Sequence, residues 1–306
     1  MNLNTTAAGI HAPSIKFSPT LEGEAKEIFV IGRRASLTVS NIVNLTSSND
    51  EKIIDALLNS IKDSGSATTF LSDGRKLAVI MLPAVEKICR NNHLFSPHTI
   101  TATVDGLGLA TSARQHCCQI VVMDSQIEEF ACPAAAALAR SMPLYHSKSD
   151  LEEIASSSGV SVSFHDENTA VLDPESSLWQ TAAAVCEGIR LAAEVGDMPP
   201  AELSPDTYAA KCHELASGLG VTCSEIKGDD LRIKGYGGIM AVGMAARCPP
   251  RMVIMTYSPE NASEHIAMCG KGVVYDTGGL ALKSKTGMCE VRFFMYLPKA
   301  FFYFEY

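Results

Sequence analysis

Short apolar runs alternating with helical patterns predict an α/β protein built as three-layer domains. The chain has 306 residues, near the usual limit of a single core, so two such domains are expected. Hydrophobic residues make up 46% and charged residues 19%, which excludes a disordered chain.

The elements follow in order. Residues 27–31 (Glu-Ile-Phe-Val-Ile) read as a first strand. Asp50 opens a helix in which Ile53, Ile54, Leu57, Leu58 and Ile61 share one face, and Gly65 is expected to end it. Lys76–Leu82 and Gln119–Met123 are apolar strands, and 131–140 is an Ala-rich helix closed by Pro143. No chemical constellation stands out in this half, and its polar residues read as surface. Residues 147–173 are rich in Ser and acids, with one short strand around Val160, Val162 and Phe164. A boundary is expected at Asp173-Pro174, giving an N-terminal α/β domain over 1–172.

A long helix should run from Ser177 to Val195 and stop at Gly196. Ser204-Pro205-Asp206 starts the next helix, with Ser as cap and Pro at the first helical position. That helix is expected to reach Leu215 and stop at Gly218–Gly220. Val221–Ile226 fits a strand, and Gly235-Tyr-Gly-Gly238 fits a tight turn. Arg251–Tyr257 and His265–Cys269 are apolar enough for central strands of a buried sheet.

Charge and motifs narrow the function. The net charge is −9 and no dense Lys/Arg cluster exists, so nucleic acid is not an expected partner. No apolar run reaches the ~18 residues of a membrane helix. The N-terminus lacks the basic start and apolar core of a signal peptide. Ten scattered cysteines without a C-x-x-C pair fit small buried hydrophobes in a reducing compartment, so a cytoplasmic location is expected. No H-x-x-x-H pair supports a His-based zinc site. Gly235-x-Gly237 fails as a dinucleotide fingerprint because Met240 stands where the third glycine belongs. Gly270-Lys271-Gly272 fails as a phosphate loop because His265 and Gly272 replace its first Gly and its Ser/Thr.

The informative stretch is Gly270-Lys-Gly-Val-Val-Tyr-Asp276-Thr-Gly-Gly279-Leu-Ala-Leu-Lys283-Ser-Lys-Thr-Gly-Met288. Lys271 and Asp276 are expected to flank a short apolar strand, two glycines follow the Asp, and Lys283 lies seven residues beyond it. Taken alone this reads as a strand end, a Gly-Gly turn and solvated lysines. It also fits a metal site at the edge of a sheet, where a carboxylate can bridge two cations and a lysine can stabilise an oxyanion.

This stretch resembles the signature of the leucine (cytosol) aminopeptidase family of two-metal exopeptidases, and most closely the branch called "probable aminopeptidase". Asp197-Met-Pro-Pro-Ala-Glu-Leu-Ser-Pro205, Gly235-Tyr-Gly-Gly-Ile-Met-Ala-Val-Gly243 and Pro249-Pro250 before a strand are also similar to family segments. The resemblance covers residues 175–288 well, and 25–172 only in the strand–helix pattern. It implies an aminopeptidase that removes N-terminal residues from peptide substrates, uses two divalent ions (Mn or Zn) and assembles as a hexamer. Lys271 then resembles the lysine that contacts metal and substrate, Asp276 the aspartate that bridges both metals, and Lys283 the catalytic lysine that polarises the scissile carbonyl. A metal-bound water is the family's nucleophile, and an arginine-held bicarbonate shuttles the proton.

The departures are equally specific. Ala201 replaces an Asn of the upstream segment. By spacing, the next metal-binding aspartate would fall at Phe294. Eight of the 20 aromatic residues lie among the last 14 positions. The expected organisation is therefore an N-terminal domain (1–172), a partial, incomplete catalytic domain (173–288) and a divergent aromatic tail (289–306). The chain is expected to be a truncated aminopeptidase, inactive alone. The alternative is a non-catalytic binding or regulatory subunit that joins full-length family members. Missing strands are expected to leave part of the catalytic core uncovered.

Overall fold

Residues 12–20, 25–87, 89, 92–145, 158–285, 287 and 301–305 are described by the computed structural model of the chain. Two compact units divide it, Met1–Ala193 and Glu194–Tyr306. The expected boundary at Asp173 precedes a helix, α6 (Leu178–Asp197), and the division falls within that helix.

The first unit is a six-stranded sheet in the order β1-β6-β5-β2-β4-β3. The strands are β1 (Ile15–Phe17), β2 (Glu27–Arg33), β3 (Gly65–Phe70), β4 (Lys76–Leu82), β5 (Cys117–Met123) and β6 (Gly159–His165). All pairings are parallel except β3 with β4. Phe29 pairs with Ala78 on one side and Ile120 on the other. Strands buried on both faces favour near-continuous apolar runs, and β2, β4 and β5 supply them over most of their length, in Ile28–Ile31, Leu77–Leu82 and Ile120–Met123.

Helices α1 (Val39–Thr46) and α2 (Glu51–Ser60) cover one face, where Ile42, Ile54 and Leu57 pack on Ile28, Val30 and Val79. Helices α3 (His98–Gly106), α4 (Leu109–Gln115), α5 (Ile127–Arg140) and the start of α6 cover the other. There Ile100, Phe130, Leu138 and Trp179 meet Phe29, Ile120 and Phe164. This is the expected three-layer arrangement.

Several boundaries shift. Helix α2 ends at Ser60, and Gly65 begins β3 instead of closing the helix. Asp50 precedes α2 without capping it, because its carboxylate accepts from the amide and hydroxyl of Ser72 at 3.0 and 3.1 Å. Helix α6 runs through Gly196 to Asp197.

The expectation that this half's polar residues are surface is also corrected. Glu27 and Asp124 are buried with partners, as are His165 and Arg190 further along the chain. Glu27 accepts from Lys76 Nζ at 3.0 Å and Ser112 Oγ at 2.9 Å, with His116 Nε2 at 3.2 Å. Arg33 pairs with Asp124 and lies over the Phe130 ring. Arg190 donates to the carbonyls of Met142 and Pro13, both at 2.9 Å.

The second unit is a smaller three-layer arrangement. Its strands are β7 (Thr222–Lys227), β8 (Arg251–Tyr257), β9 (His265–Met268) and β10 (Phe301–Glu305), in the order β7-β8-β10-β9. Helix α7 (Pro205–Leu219) starts with a capping box. The Ser204 hydroxyl accepts from the Thr207 amide, and the Thr207 hydroxyl accepts from the Ser204 amide. Its Ala209, Cys212 and Ala216 pack on Val253 and Met255. Helices α8 (Asp229–Ile233) and α9 (Gly237–Gly243) serve the other face, where Leu231, Ile239 and Met240 meet Ile226 and Met252. Alternate residues of β8 therefore feed opposite layers. A Cβ on Gly243 would lie 2.3 Å from Pro250 Cβ, so this approach requires glycine.

Two expectations fail here. Strand β9 is an exposed edge strand, not a central one. The segment from Lys271 to Asp276 has no regular structure, so these residues do not flank a strand. Of the aromatic tail, Phe301–Glu305 form β10, parallel to β8 and antiparallel to β9. Met288, Phe294 and the remaining tail residues lie outside the described residues.

The cysteines are free among the described residues. Cys118, Cys186 and Cys212 are buried, as expected, whereas Cys89 and Cys269 are exposed. Burial pushes the Cys118 thiol up to about 12 and the Cys186 and Cys212 thiols up to about 11, so these three are inert packing groups. No helix among the described residues is long and apolar enough to cross a membrane.

Candidate active site

The three predicted residues lie on one irregular segment after β9. Asp276 and Lys283 come together, and Lys271 stands apart from their hydrogen bonds. Asp276 Oδ2 accepts from Lys283 Nζ at 2.8 Å. Asp276 Oδ1 accepts from the Gly278 amide at 2.9 Å. The Lys283 amide donates to the Thr277 carbonyl at 2.9 Å and closes the turn. Both side chains are half-exposed, at 40% for Asp276 and 30% for Lys283. The Lys283 bond, then the Gly278 amide, hold the Asp276 carboxyl below its ordinary range. Lys271 is exposed and adds a smaller electrostatic contribution of the same sign.

The turn depends on the first glycine of the Gly278-Gly279 pair. Gly278 has φ +84°. A Cβ there would lie 2.4 Å from the Ala281 carbonyl oxygen and 3.1 Å from Lys283 Cγ. The Gly-Gly pair after the aspartate was the signal available in the sequence. What it could not give was the identity of the groups that close in on Gly278.

Beside this segment the second unit has a cavity of about 630 Å3. Tyr208, Ile239, Val242, Met252 and Val274 contribute apolar walls, and Lys271 reaches its lining. Tyr208 is buried, which pushes its hydroxyl up. Arg251, also in the lining, pairs with Asp206, and with Glu225 at 2.9 Å. That guanidinium is therefore neutralised by its own neighbours.

The residues described do not make a metal site. Among them no group of three or more His, Cys, Asp or Glu side chains converges to hold an ion. The one carboxylate of the segment already accepts two hydrogen bonds, and its charged neighbours on the segment are lysines. A two-metal centre needs several more anionic donors.

Residues 190–296 match the model of the cytosol aminopeptidase family, catalytic domain. The chain is 37% identical over 213 residues to a probable aminopeptidase of Mus musculus (NPEPL1), covering 69% of this chain and 38% of that protein. Among solved structures it resembles the leucyl aminopeptidase of Leishmania major in complex with actinonin. The TM-score is 0.75 at 25% identity, over 93% of this chain and 55% of that one. The fold is also that of Caenorhabditis elegans leucine aminopeptidase, with TM-score 0.73 at 21% identity, over 95% of this chain and 61% of that one. The chain thus spans little more than a third of the length of the curated relatives it matches. The motif segments, the catalytic-domain match and the shared fold agree that residues 190–296 are part of a catalytic domain of the cytosol aminopeptidase family.

Proposed function

We propose that this chain carries part of the catalytic apparatus of a metal-dependent aminopeptidase, and that the 306-residue chain alone does not turn over. The observation that supports it is the Lys283–Asp276 pair, which lies inside the segment that matches the family's catalytic domain. Divalent ions, Mn or Zn, would supply water activation and polarisation of the scissile amide of a peptide substrate when bound with ligands beyond those described. Lys271 and Asp276 are the assigned metal- and substrate-facing residues, and Lys283 is the assigned carbonyl-polarising cation. Among the described residues no cluster of His, Cys, Asp or Glu completes a two-metal centre around Asp276. Purified chain assayed on a leucine amide with Mn2+ or Zn2+ should show no hydrolysis above its Lys283→Met variant. Robust turnover that Lys283→Met abolishes would overturn the inactivity and leave the assigned role of Lys283 standing.

A second reading has its own support in the apolar exposure of the second unit. Ile233, Val242 and Met244 are largely exposed. Such a surface fits a non-catalytic subunit that associates with full-length family members in a hexamer. Co-expression with a full-length relative tests this, and failure to co-purify counts against it. Cytoplasmic location belongs to the same proposal, and fractionation of tagged protein tests it.

A further inference from the structure

We propose that Gly278 holds Lys283 on Asp276 as a closed pair that keeps divalent cations off this carboxylate. The inference rests on the proposed assignment of Asp276 as the metal-facing group, and it concerns what that group does in this chain.

Three observations carry it. Both carboxylate oxygens are in use, Oδ1 by the Gly278 amide at 2.9 Å and Oδ2 by Lys283 Nζ at 2.8 Å. The turn that delivers Lys283 is tied by its own amide to the Thr277 carbonyl at 2.9 Å, so the pair is set by backbone geometry. That backbone tolerates only glycine at 278, where φ is +84° and an added Cβ would stand 2.4 Å from the Ala281 carbonyl oxygen. Gly278 is thus a positioning residue that acts through Lys283.

Charge works in the same direction. Between Gly270 and Lys285 the segment holds Lys271, Lys283 and Lys285 against a single acid, Asp276. A dication that displaced Lys283 would gain one carboxylate and face the charges of Lys283 and Lys271, the two cations whose field reaches Asp276. A family member that binds metal at this aspartate needs further anionic groups to reverse that balance.

The test reads Lys283 directly on the intact 306-residue chain. The chain is treated with an amine-acetylating reagent, and the rate at each lysine is followed by peptide mass spectrometry. Lys283 should react about threefold more slowly in the wild type than in Asp276→Asn, the scale of an exposed ion pair. Gly278→Ala should raise the Lys283 rate toward that of Asp276→Asn. Lys52 and Lys211 should keep their wild-type rates as folding references. If the alanine variant alters those references, the isosteric Asp276→Asn comparison decides. Millimolar Mn2+ should leave the wild-type Lys283 rate unchanged.

Equal Lys283 rates in wild type and Asp276→Asn would overturn the pair. A rise to the Asp276→Asn rate on adding Mn2+ would overturn the exclusion of metal. The hydrolysis assay fails independently. Turnover with Lys283 still protected refutes the inactivity alone, and loss of protection without turnover refutes the closed pair alone.

Discussion

The two units bury their sheets to very different degrees. In the first, apolar residues cover both faces of a six-stranded sheet, and the central strands β2, β4 and β5 are closed along nearly their whole length. In the second, two small clusters flank β8, and β9 is exposed at every position. The same strand and helix vocabulary builds both. What differs is how many layers of side chain stand between each strand and water. Stability should concentrate in the first unit, and the candidate chemistry sits on the exposed loops of the second.

The largest effect should come from opening the deeper core. Phe130 is fully buried, beneath Arg33 and against the sheet. Phe130→Ala should cost about 3–5 kcal/mol, read as a fall in the urea midpoint by circular dichroism. Met255→Ala, in the smaller cluster against α7, should cost about 2 kcal/mol, because thinly covered surroundings relax into the space more readily. Equal losses would break the comparison between the units.

Much of this contrast was legible beforehand, and the reasons it was partial are physical. Apolar runs such as Lys76–Leu82 marked strands of the first sheet because burial on both faces leaves no alternation to disguise them. His265–Met268 carries the same apolar character and yet is an exposed edge, since hydropathy reports what a strand could bury and not what covers it. The start of α7 was legible from Ser204-Pro205 because capping is local. The Glu27 network was invisible because Ser112 and His116 lie 85 and 89 positions away in sequence. For the site, the motif picked out Lys271, Asp276 and Lys283 by type and spacing. It could not tell that Asp276 and Lys283 would meet while Lys271 stayed apart, because that depends on the positive φ at Gly278.

The next effect tests the buried polar side of the first unit. Burial opposes ionisation of Glu27, but the bonds from Lys76 and Ser112 outweigh it and hold the carboxyl below its ordinary value. A depressed folded value means the stabilisation is complete above the unfolded pKa of ~4.3 and fades as pH falls through the lower folded value. Glu27→Gln should cost about 1–2 kcal/mol at neutral pH and remove that acid-side component. Urea titrations across acidic pH check both, and parallel curves for the two proteins would show that Glu27 contributes nothing specific.

A smaller and more local loss is expected at the head of α7. Ser204→Ala removes the hydroxyl that accepts from Thr207 and should cost about 1 kcal/mol, whereas Ser204→Asp should retain most of it. The alanine loss should appear in amide exchange of the first turn of α7 and leave α5 untouched. Exchange quickening equally in both helices would mean that the two units do not differ in local stability.

The smallest effect is the one most particular to the second unit. Val242 is 74% exposed on the rim of the cavity, and Met244 nearby is 67% exposed. An exposed side chain already has its hydration in the folded state, so Val242→Ser should change stability by less than about 0.5 kcal/mol. The same change removes apolar surface from a patch that would be buried by a partner. It should therefore weaken binding of a hydrophobic dye, and co-purification with a full-length relative where that occurs, at unchanged urea midpoint. A matched change at Phe70, exposed on the edge strand of the first sheet, provides the control. If Phe70→Ser reduces dye binding as much as Val242→Ser, the exposed apolar surface is a general property of the chain. If only Val242→Ser does so, the rim of the cavity is the place where the second unit awaits a partner.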